Sequence, residues 1–208
     1  MIPLETLLAF LSVSVLLGLA PGPDNIFVLT QSAIKGRMAG LIVTFGLCSG
    51  IVIHTTAVAF GVAALFKTSQ LAFVSLKIAG ALYLLYLAWQ AFRASSQEIV
   101  LGGDNVPQYA RLYRRGFIMN VTNPKVSIFF LAFLPQFADP TRGSLPLQMM
   151  ILGMLFILST ILVFGAIALV AGKLGEKFAH SPKAQLILNR IAGTVFIALA
   201  LKLATAQR

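Results

Sequence analysis

Six long apolar segments restrict the fold of this 208-residue chain more than any other feature of its sequence. A membrane-spanning helix needs about 20 mostly apolar residues, and a soluble helical protein could hardly bury six such segments. The second and fifth segments contain no Asp, Glu, Lys or Arg. The sequence therefore predicts an all-α integral membrane protein with six transmembrane helices, at residues 4–34, 39–66, 71–92, 116–138, 145–172 and 186–203.

The first apolar segment ends in small residues, as a signal peptide does. It has no Lys or Arg before its apolar core and carries Glu5 there instead, and five more spans follow it. We therefore expect it to be retained as the first helix.

The basic residues fall mainly on one side of such a six-span chain. One side collects Lys35, Arg37, Arg93, Arg111, Arg114, Arg115, Lys173, Lys177, Lys183 and Arg190, and the other collects Lys67, Arg142, Lys202 and Arg208. Cytoplasmic loops carry the excess of Lys and Arg, so both termini are predicted to lie outside. The net charge of +10 is then a signal of topology and of contact with membrane lipids, and no nucleic-acid partner is expected.

The chain divides into two halves of three spans, joined by a polar cytoplasmic connection at residues 93–113. Residues 1–208 are predicted to be one transport domain with half-repeats at about 1–92 and 114–208. Lys77-Ile-Ala-Gly80 opens the third span and Arg190-Ile-Ala-Gly193 opens the sixth. Because each half has an odd number of spans, the second half would insert upside down, which predicts an inverted-topology repeat.

Proline and a charged residue interrupt spans one and four near their middles. The first interruption reads Pro21-Gly22-Pro23-Asp24-Asn25, and the second reads Asn120-Val-Thr-Asn123-Pro124-Lys125. Charges within a bilayer are costly, and unwound backbone survives there only where it is packed in protein or lines a cavity. Paired interruptions in the two halves of a membrane protein point to the binding site of a transporter.

The two charged residues are predicted to lie at similar depth. Asp24 precedes Lys35 by 11 residues, and Lys125 follows Arg115 by 10. At 1.5 Å per helical residue these separations are roughly 16 and 15 Å, close to the middle of an apolar layer about 30 Å thick.

Each polar residue at this depth has a structural and a functional interpretation. Asp24 is the N-cap of a restarting helix, a carboxylate that binds a proton or a substrate ammonium group, or both, since the two interpretations are compatible. Lys125 pairs with Asp24, holds an anionic substrate group or extends toward an interface. Asn120 and Asn123 add amide donors and acceptors beside Pro124.

Two further ionisable residues lie within the predicted spans. His54, in the middle of span two, either relays protons or forms a structural hydrogen bond. Lys77 lies nearer the outer surface and is a weaker candidate for a functional role. The motif Gly46-x-x-x-Gly50 in span two is compatible with a homodimer.

These motifs together resemble the LysE/RhtB-type amino-acid exporter family. The resemblance covers nearly the whole chain and rests on three segments: 21–25, Lys77-Ile-Ala-Gly-Ala-Leu-Tyr-Leu-Leu-Tyr-Leu87, and 120–125 followed by Phe133-Leu-Pro-Gln-Phe137. It implies a multi-pass exporter in the bacterial inner membrane that is driven by the proton-motive force and can form a homodimer. Its cargo would be small neutral amino acids such as homoserine, threonine or leucine, with no cofactor and no resident metal.

Three alternatives to amino-acid export stay open at this point. Export of a metal ion or another solute would need ligands, yet the spans hold one mid-membrane acid, one histidine and one cysteine. A membrane-embedded enzyme would need a Cys pair or a His-Glu-x-x-His helix, and the sequence has neither. A non-catalytic assembly partner would leave the paired charges without a role.

Overall fold

The computed structural model describes residues 2–20, 22–62, 70–94, 108–179 and 182–205, and the regular elements among them are helical. Short π-helical and 3₁₀ turns extend some of the helices. The helices are α1 Leu4–Leu19, α2 Pro23–Lys35, α3 Arg37–Ala57, α4 Gln70–Arg93, α5 Tyr109–Thr122, α6 Pro124–Ile128, α7 Leu145–Ala179 and α8 Pro182–Thr205.

Two helices in the described part of the chain are long and apolar enough to cross a membrane alone, Arg37–Gly61 and Leu145–Ala171. Two bent pairs raise the number to four if each pair is one span: Leu4–Leu19 with Pro23–Lys35, bent by 63°, and Tyr109–Thr122 with Pro124–Phe137, bent by 49°. The predicted interruptions of spans one and four are therefore real breaks between helices. The third and sixth predicted spans coincide with α4 and α8, 24 residues each, and the six-span count stays a prediction.

The helix that contains the start of the fourth predicted span begins before that span. The span is predicted from residue 116 and the polar connection at residues 93–113, and α5 begins at Tyr109, within the predicted connection. Leu112, Gly116 and Asn120 follow one another at four-residue spacing and are buried along one face, while Arg111, Arg114 and Arg115 are exposed. An amphipathic turn thus extends the helix on the N-terminal side of its apolar part. Its mean hydropathy is too low to identify this turn as part of the helix.

Helices α3 and α5 pack closely because glycines face the partner backbone. A Cβ atom added to Gly116 would lie 2.5 Å from the backbone oxygen of Val43, and one added to Gly46 would overlap the backbone oxygen of Tyr113. One added to Gly50 would lie 2.5 Å from Asn120 Oδ1. Gly46 and Gly50 therefore pack against α5 of the same chain, and they no longer support a homodimer.

A cluster of phenylalanines follows the second break. α6 continues into a π-helical turn at Phe129–Phe133 and a 3₁₀ turn at Leu134–Phe137; Pro135 lacks the N–H that a continuing α-helix would need. These turns place several rings against α1 and α7 with centroid separations of 5.1–6.0 Å. The aromatic cluster consists of Phe10, Phe129, Phe130, Phe133, Phe137 and Phe156.

Candidate functional site at the crossed helix breaks

The end of α1 is completed by a side chain from the other half of the protein. Lys125 Nζ donates hydrogen bonds to the backbone oxygens of Ala20 at 3.1 Å and Leu17 at 3.4 Å. The last carbonyls of a helix have no partner within the helix and carry the negative end of its dipole. Lys125 both donates to these unpaired carbonyls and places a positive charge at the negative end of the α1 dipole. It does so although it belongs to the first turn of α6, where that helix's own dipole disfavours a cation.

Residues of the first motif shape the same break. Asn25 Nδ2 donates to the backbone oxygen of Gly18 at 2.6 Å. Gly22 is extended, with φ −169° and ψ 176°, and Pro23 is the first residue of α2. A Cβ atom on Gly22 would lie 3.1 Å from Lys125 Nζ, so a side chain there would crowd the lysine. Pro21, also predicted as a site residue, lies outside the described residues.

Asn123 connects the two breaks. As the N-cap of α6 it accepts a hydrogen bond from the backbone N–H of Lys125 at 3.0 Å through Oδ1, and Pro124 is the first residue of that helix. Its Nδ2 donates to Asp24 Oδ2 at 2.8 Å. One amide therefore fixes both the beginning of α6 and the position of the Asp24 carboxylate.

Asp24 is buried, with 4% of its surface exposed, in the first turn of α2. The N-cap interpretation of Asp24 is wrong, because Gly22 holds that position. The carboxylate lies at the positive end of the α2 dipole, which favours a negative charge. Asp24 and Lys125 form no direct ion pair: Oδ2 bonds to Asn123, and Oδ1 has no hydrogen-bond partner.

Asp24 and Lys125 nevertheless line the same central cavity. Its volume is about 20 Å³, room for about one water molecule, whereas ligand pockets usually begin near roughly 300 Å³. The residues that line the central cavity are Leu17, Gly18, Asp24, Leu47, Ile51, Asn120, Lys125, Val126, Phe156, Thr160 and Phe164.

Two oxygen atoms of the residues around this cavity are buried without a hydrogen-bond donor, Asp24 Oδ1 and Asn120 Oδ1. Buried polar atoms in native proteins are almost always paired, so these two acceptors are exceptions, and a hydrogen-bond donor beside them would be favourable. The cavity thus presents one cation and two free acceptors inside a wall that is otherwise largely apolar.

The other predicted site residues lie outside the cavity lining. His54 contacts the backbone of the second break, since its Nε2 lies 3.1 Å from the backbone oxygen of Asn120. Pro23 and Pro124 are exposed and shape the breaks. Lys77 is half-buried on α4, away from the residues that line the central cavity.

Sequence reasoning missed the far wall of the cavity, which α3 and α7 provide. Thr160 carried a usable signal, because Ser159-Thr160 is a polar pair in the middle of an apolar span. Leu47, Ile51, Phe156 and Phe164 gave no signal, since each resembles any other core residue. Within the described ranges no three His, Cys, Asp or Glu residues are grouped so as to hold a metal ion.

Comparison with known proteins identifies the family. A family model described as LysE type translocator matches residues 15–207. The chain belongs to the LysE family of translocators. This LysE protein is 34% identical over 199 residues to the homoserine/homoserine lactone efflux protein of Salmonella typhimurium, covering 96% of each chain. It is also 34% identical over 201 residues to an uncharacterized membrane protein of Vibrio cholerae, covering 96% of this chain and 97% of the other.

No solved structure matches this LysE translocator. The family and its apolar helices make the chain a membrane protein, and the resemblance seen in its motifs is confirmed. Membership in a translocator family favours transport over the membrane-embedded enzyme among the alternatives that the sequence left open.

Proposed function

We propose that this protein is a secondary exporter of small neutral amino acids and their derivatives, driven by the proton-motive force. The observation that carries this proposal is that Asp24, Asn120 and Lys125 line one small cavity where the two breaks meet. Asp24 Oδ1 and Asn120 Oδ1 have no hydrogen-bond partner, and Lys125 supplies an ammonium group. Two acceptors and one cation are complementary to the two charged groups of an amino acid.

The cargo ammonium group would bind Asp24 Oδ1 and Asn120 Oδ1. Its carboxylate would bind Lys125, which must then release the backbone oxygens of α1. Leu47, Ile51 and Phe164 would surround a small uncharged side chain. The Salmonella typhimurium relative is named for efflux of homoserine and homoserine lactone, which share an amine while only homoserine has a carboxylate. Asp24 and Asn120 are therefore the proposed main recognition groups.

The proton would use the same carboxylate as the cargo. Asp24 has one oxygen anchored by Asn123 and one oxygen without a hydrogen-bond partner, and the residue lines the cavity. A proton and a cargo ammonium group cannot both occupy the free oxygen, so cargo release and proton uptake are exclusive. Such competition is sufficient to couple outward cargo movement to inward proton movement.

Transport requires a wider cavity than the structure contains. We propose that the two halves rock about the crossed breaks, as inverted repeats do in other transporters. The packing supports such a repeat: α3 contacts α7, α4 contacts α8, and the contact of α3 with α5 has a counterpart between α1 and α7. Pro23 with Asp24, and Pro124 with Lys125, also occupy the same first two positions of their helices.

The distribution of basic residues supports one orientation of the exporter in the membrane. The basic end of the bundle, with Lys35, Arg93 and Arg115, would face the cytoplasm of a bacterial cell, and both termini would lie on the outer side of the inner membrane. Lipids and protons are the expected partners, and a homodimer stays a prediction without structural support.

The test is homoserine efflux from proteoliposomes under an imposed proton gradient. Asp24→Asn keeps an oxygen that can accept from Asn123 and removes the charge, so we expect proton-driven efflux to fall at least about tenfold, the value of one charge-assisted hydrogen bond. Asp139→Asn, which removes an exposed acid far from the cavity, should leave efflux unchanged. Wild-type gradient-driven flux in Asp24→Asn would overturn the coupling role, and a wild-type protein that moves no amino acid would overturn the proposed function.

A further inference from the structure

A second cavity lies on the far side of the aromatic cluster from the central cavity. Its volume is about 320 Å³, which falls in the range of small-molecule sites. We call it the vestibule, and it is lined by Glu5, Thr6, Ala9, Phe133, Gln136, Phe137 and Leu203. These residues lie at the start of α1, after α6 and near the end of α8, opposite to the basic end of the bundle.

The aromatic cluster separates the vestibule from the central cavity. Phe156 lines the central cavity and lies 5.3 Å from Phe129, measured between ring centroids. Phe129 in turn lies 5.1 Å from Phe133, which lines the vestibule. Two ring contacts therefore join the wall of one cavity to the wall of the other, along the π-helical turn that follows the second break.

The vestibule has the chemistry of an ammonium site. Glu5 is the one charged residue among the described residues of its lining, in a chain whose net charge is +10. Phe133 and Phe137 add aromatic rings, which attract cations through their quadrupole. Gln136 and Thr6 add polar groups, and the lining has no described cation that would hold a carboxylate.

We propose that the vestibule is a second cargo site, which binds the ammonium end of an amino acid after it has passed the aromatic cluster. The proposal rests on the proposed export function for the identity of its ligand. Glu5 binds the ammonium group, Phe133 and Phe137 contact it, and the carboxylate of the cargo faces water. Homoserine and its lactone would bind alike, because the amine is the group that they share.

The experiment measures the vestibule without requiring transport. A single cysteine is introduced by Thr6→Cys in a Cys48→Ala background and placed in phosphatidylglycerol nanodiscs. The rates of its modification by methanethiosulfonate ethylammonium and by methanethiosulfonate ethylsulfonate are compared. A cleft lined by one sign of charge raises the local concentration of counter-ions by about tenfold or more, so Glu5→Gln should lower the ratio of the two rates by about tenfold.

Asp139→Asn is the control for loss of a negative charge elsewhere, because Asp139 pairs with Arg142 and does not line the vestibule. It should leave the ratio unchanged. Homoserine and homoserine lactone should protect the cysteine when Glu5 is present, and 4-hydroxybutyrate, which lacks the amine, should not. Asp24→Asn should show the same protection, so loss of efflux and loss of the vestibule site are distinguishable.

Three results would overturn the proposal. The ratio could be equal in Glu5→Gln and its parent, which would show that the carboxylate attracts no cation. Protection by 4-hydroxybutyrate as strong as that by homoserine would exclude recognition of the amine. Protection by phosphatidylethanolamine added to the nanodiscs, with none by homoserine, would assign the vestibule to a lipid headgroup and exclude cargo.

Discussion

The two helix breaks share the first residues of their second helices but end their first helices differently. In both, proline takes the first helical position and a charged residue takes the second. The end of α1, however, depends on Lys125 from the other half of the chain, whereas the end of α5 is closed locally by the backbone N–H of Asn123, which donates to Asn120. The two charged residues therefore have different roles in this conformation. Lys125 completes the end of α1, whereas Asp24 keeps one oxygen without a hydrogen-bond partner.

The largest effect is expected at the lysine. Lys125→Met removes the donor to Leu17 and Ala20 and leaves the buried Asp24 carboxylate without a neighbouring cation. Breaking a buried charge arrangement on one side costs about 3–5 kcal/mol, so the melting temperature of the purified protein in detergent should fall markedly. Lys183→Met, at an exposed position, is the control.

The double variant Asp24→Asn/Lys125→Met should recover part of this stability, because the uncompensated carboxylate is gone. Recovery without transport would separate the structural task of the lysine from its proposed role as carboxylate ligand. A Lys125→Met protein as stable as wild type would contradict the comparison between the breaks.

An intermediate effect is expected at Asn123, which belongs to both breaks. Asn123→Ala loses an N-cap, which costs about 1 kcal/mol, and a hydrogen bond to a carboxylate, which contributes about 1.5–3 kcal/mol. Asn123→Ser can still cap α6 but is too short to maintain the contact with Asp24. The difference in melting temperature between the two variants therefore measures the contribution of the α6 N-cap to stability. A reduced efflux in both variants would show that transport needs the hydrogen bond that positions Asp24. Equal melting temperatures would mean that α6 needs no cap.

The breaks were predictable from the sequence, while the way they interlock was not. Proline beside Asp24 and Lys125 in the middle of apolar spans indicated both interruptions, because few other arrangements allow charge and unwound backbone at that depth. The bonds from Lys125 to the end of α1 join residues more than 100 positions apart. These bonds depend on how the two bent helix pairs pack against each other, and no local sequence pattern specifies that packing.

The sequence also did not predict which residues form the wall of the central cavity or which surface two glycines contact. Phe156 and Phe164 have the same sequence context as lipid-facing residues of α7, and only the packing of α7 against its neighbours turns them inward. Gly46 and Gly50 fit a dimer motif equally well as an intramolecular contact. A single chain supplies the spacing of such residues but not the identity of the surface that they meet.

The smallest effect is expected at His54, which tests whether the second break needs help from α3. The backbone oxygen of Asn120 already accepts from the N–H of Asn123 at 3.0 Å, and a carbonyl can accept two hydrogen bonds. Loss of the His54 donor therefore leaves no unpaired group, so His54→Ala should cost no more than about 1 kcal/mol. His54→Gln can donate to the same oxygen and should match the wild type in melting temperature.

Because His54 lies outside the central cavity lining, the pH profile of efflux in His54→Gln should also follow the wild type between pH 5 and 8, where histidine ordinarily titrates. A shifted pH profile with an unchanged melting temperature would instead support His54 as a proton relay. It would also mean that the second break contributes to proton coupling.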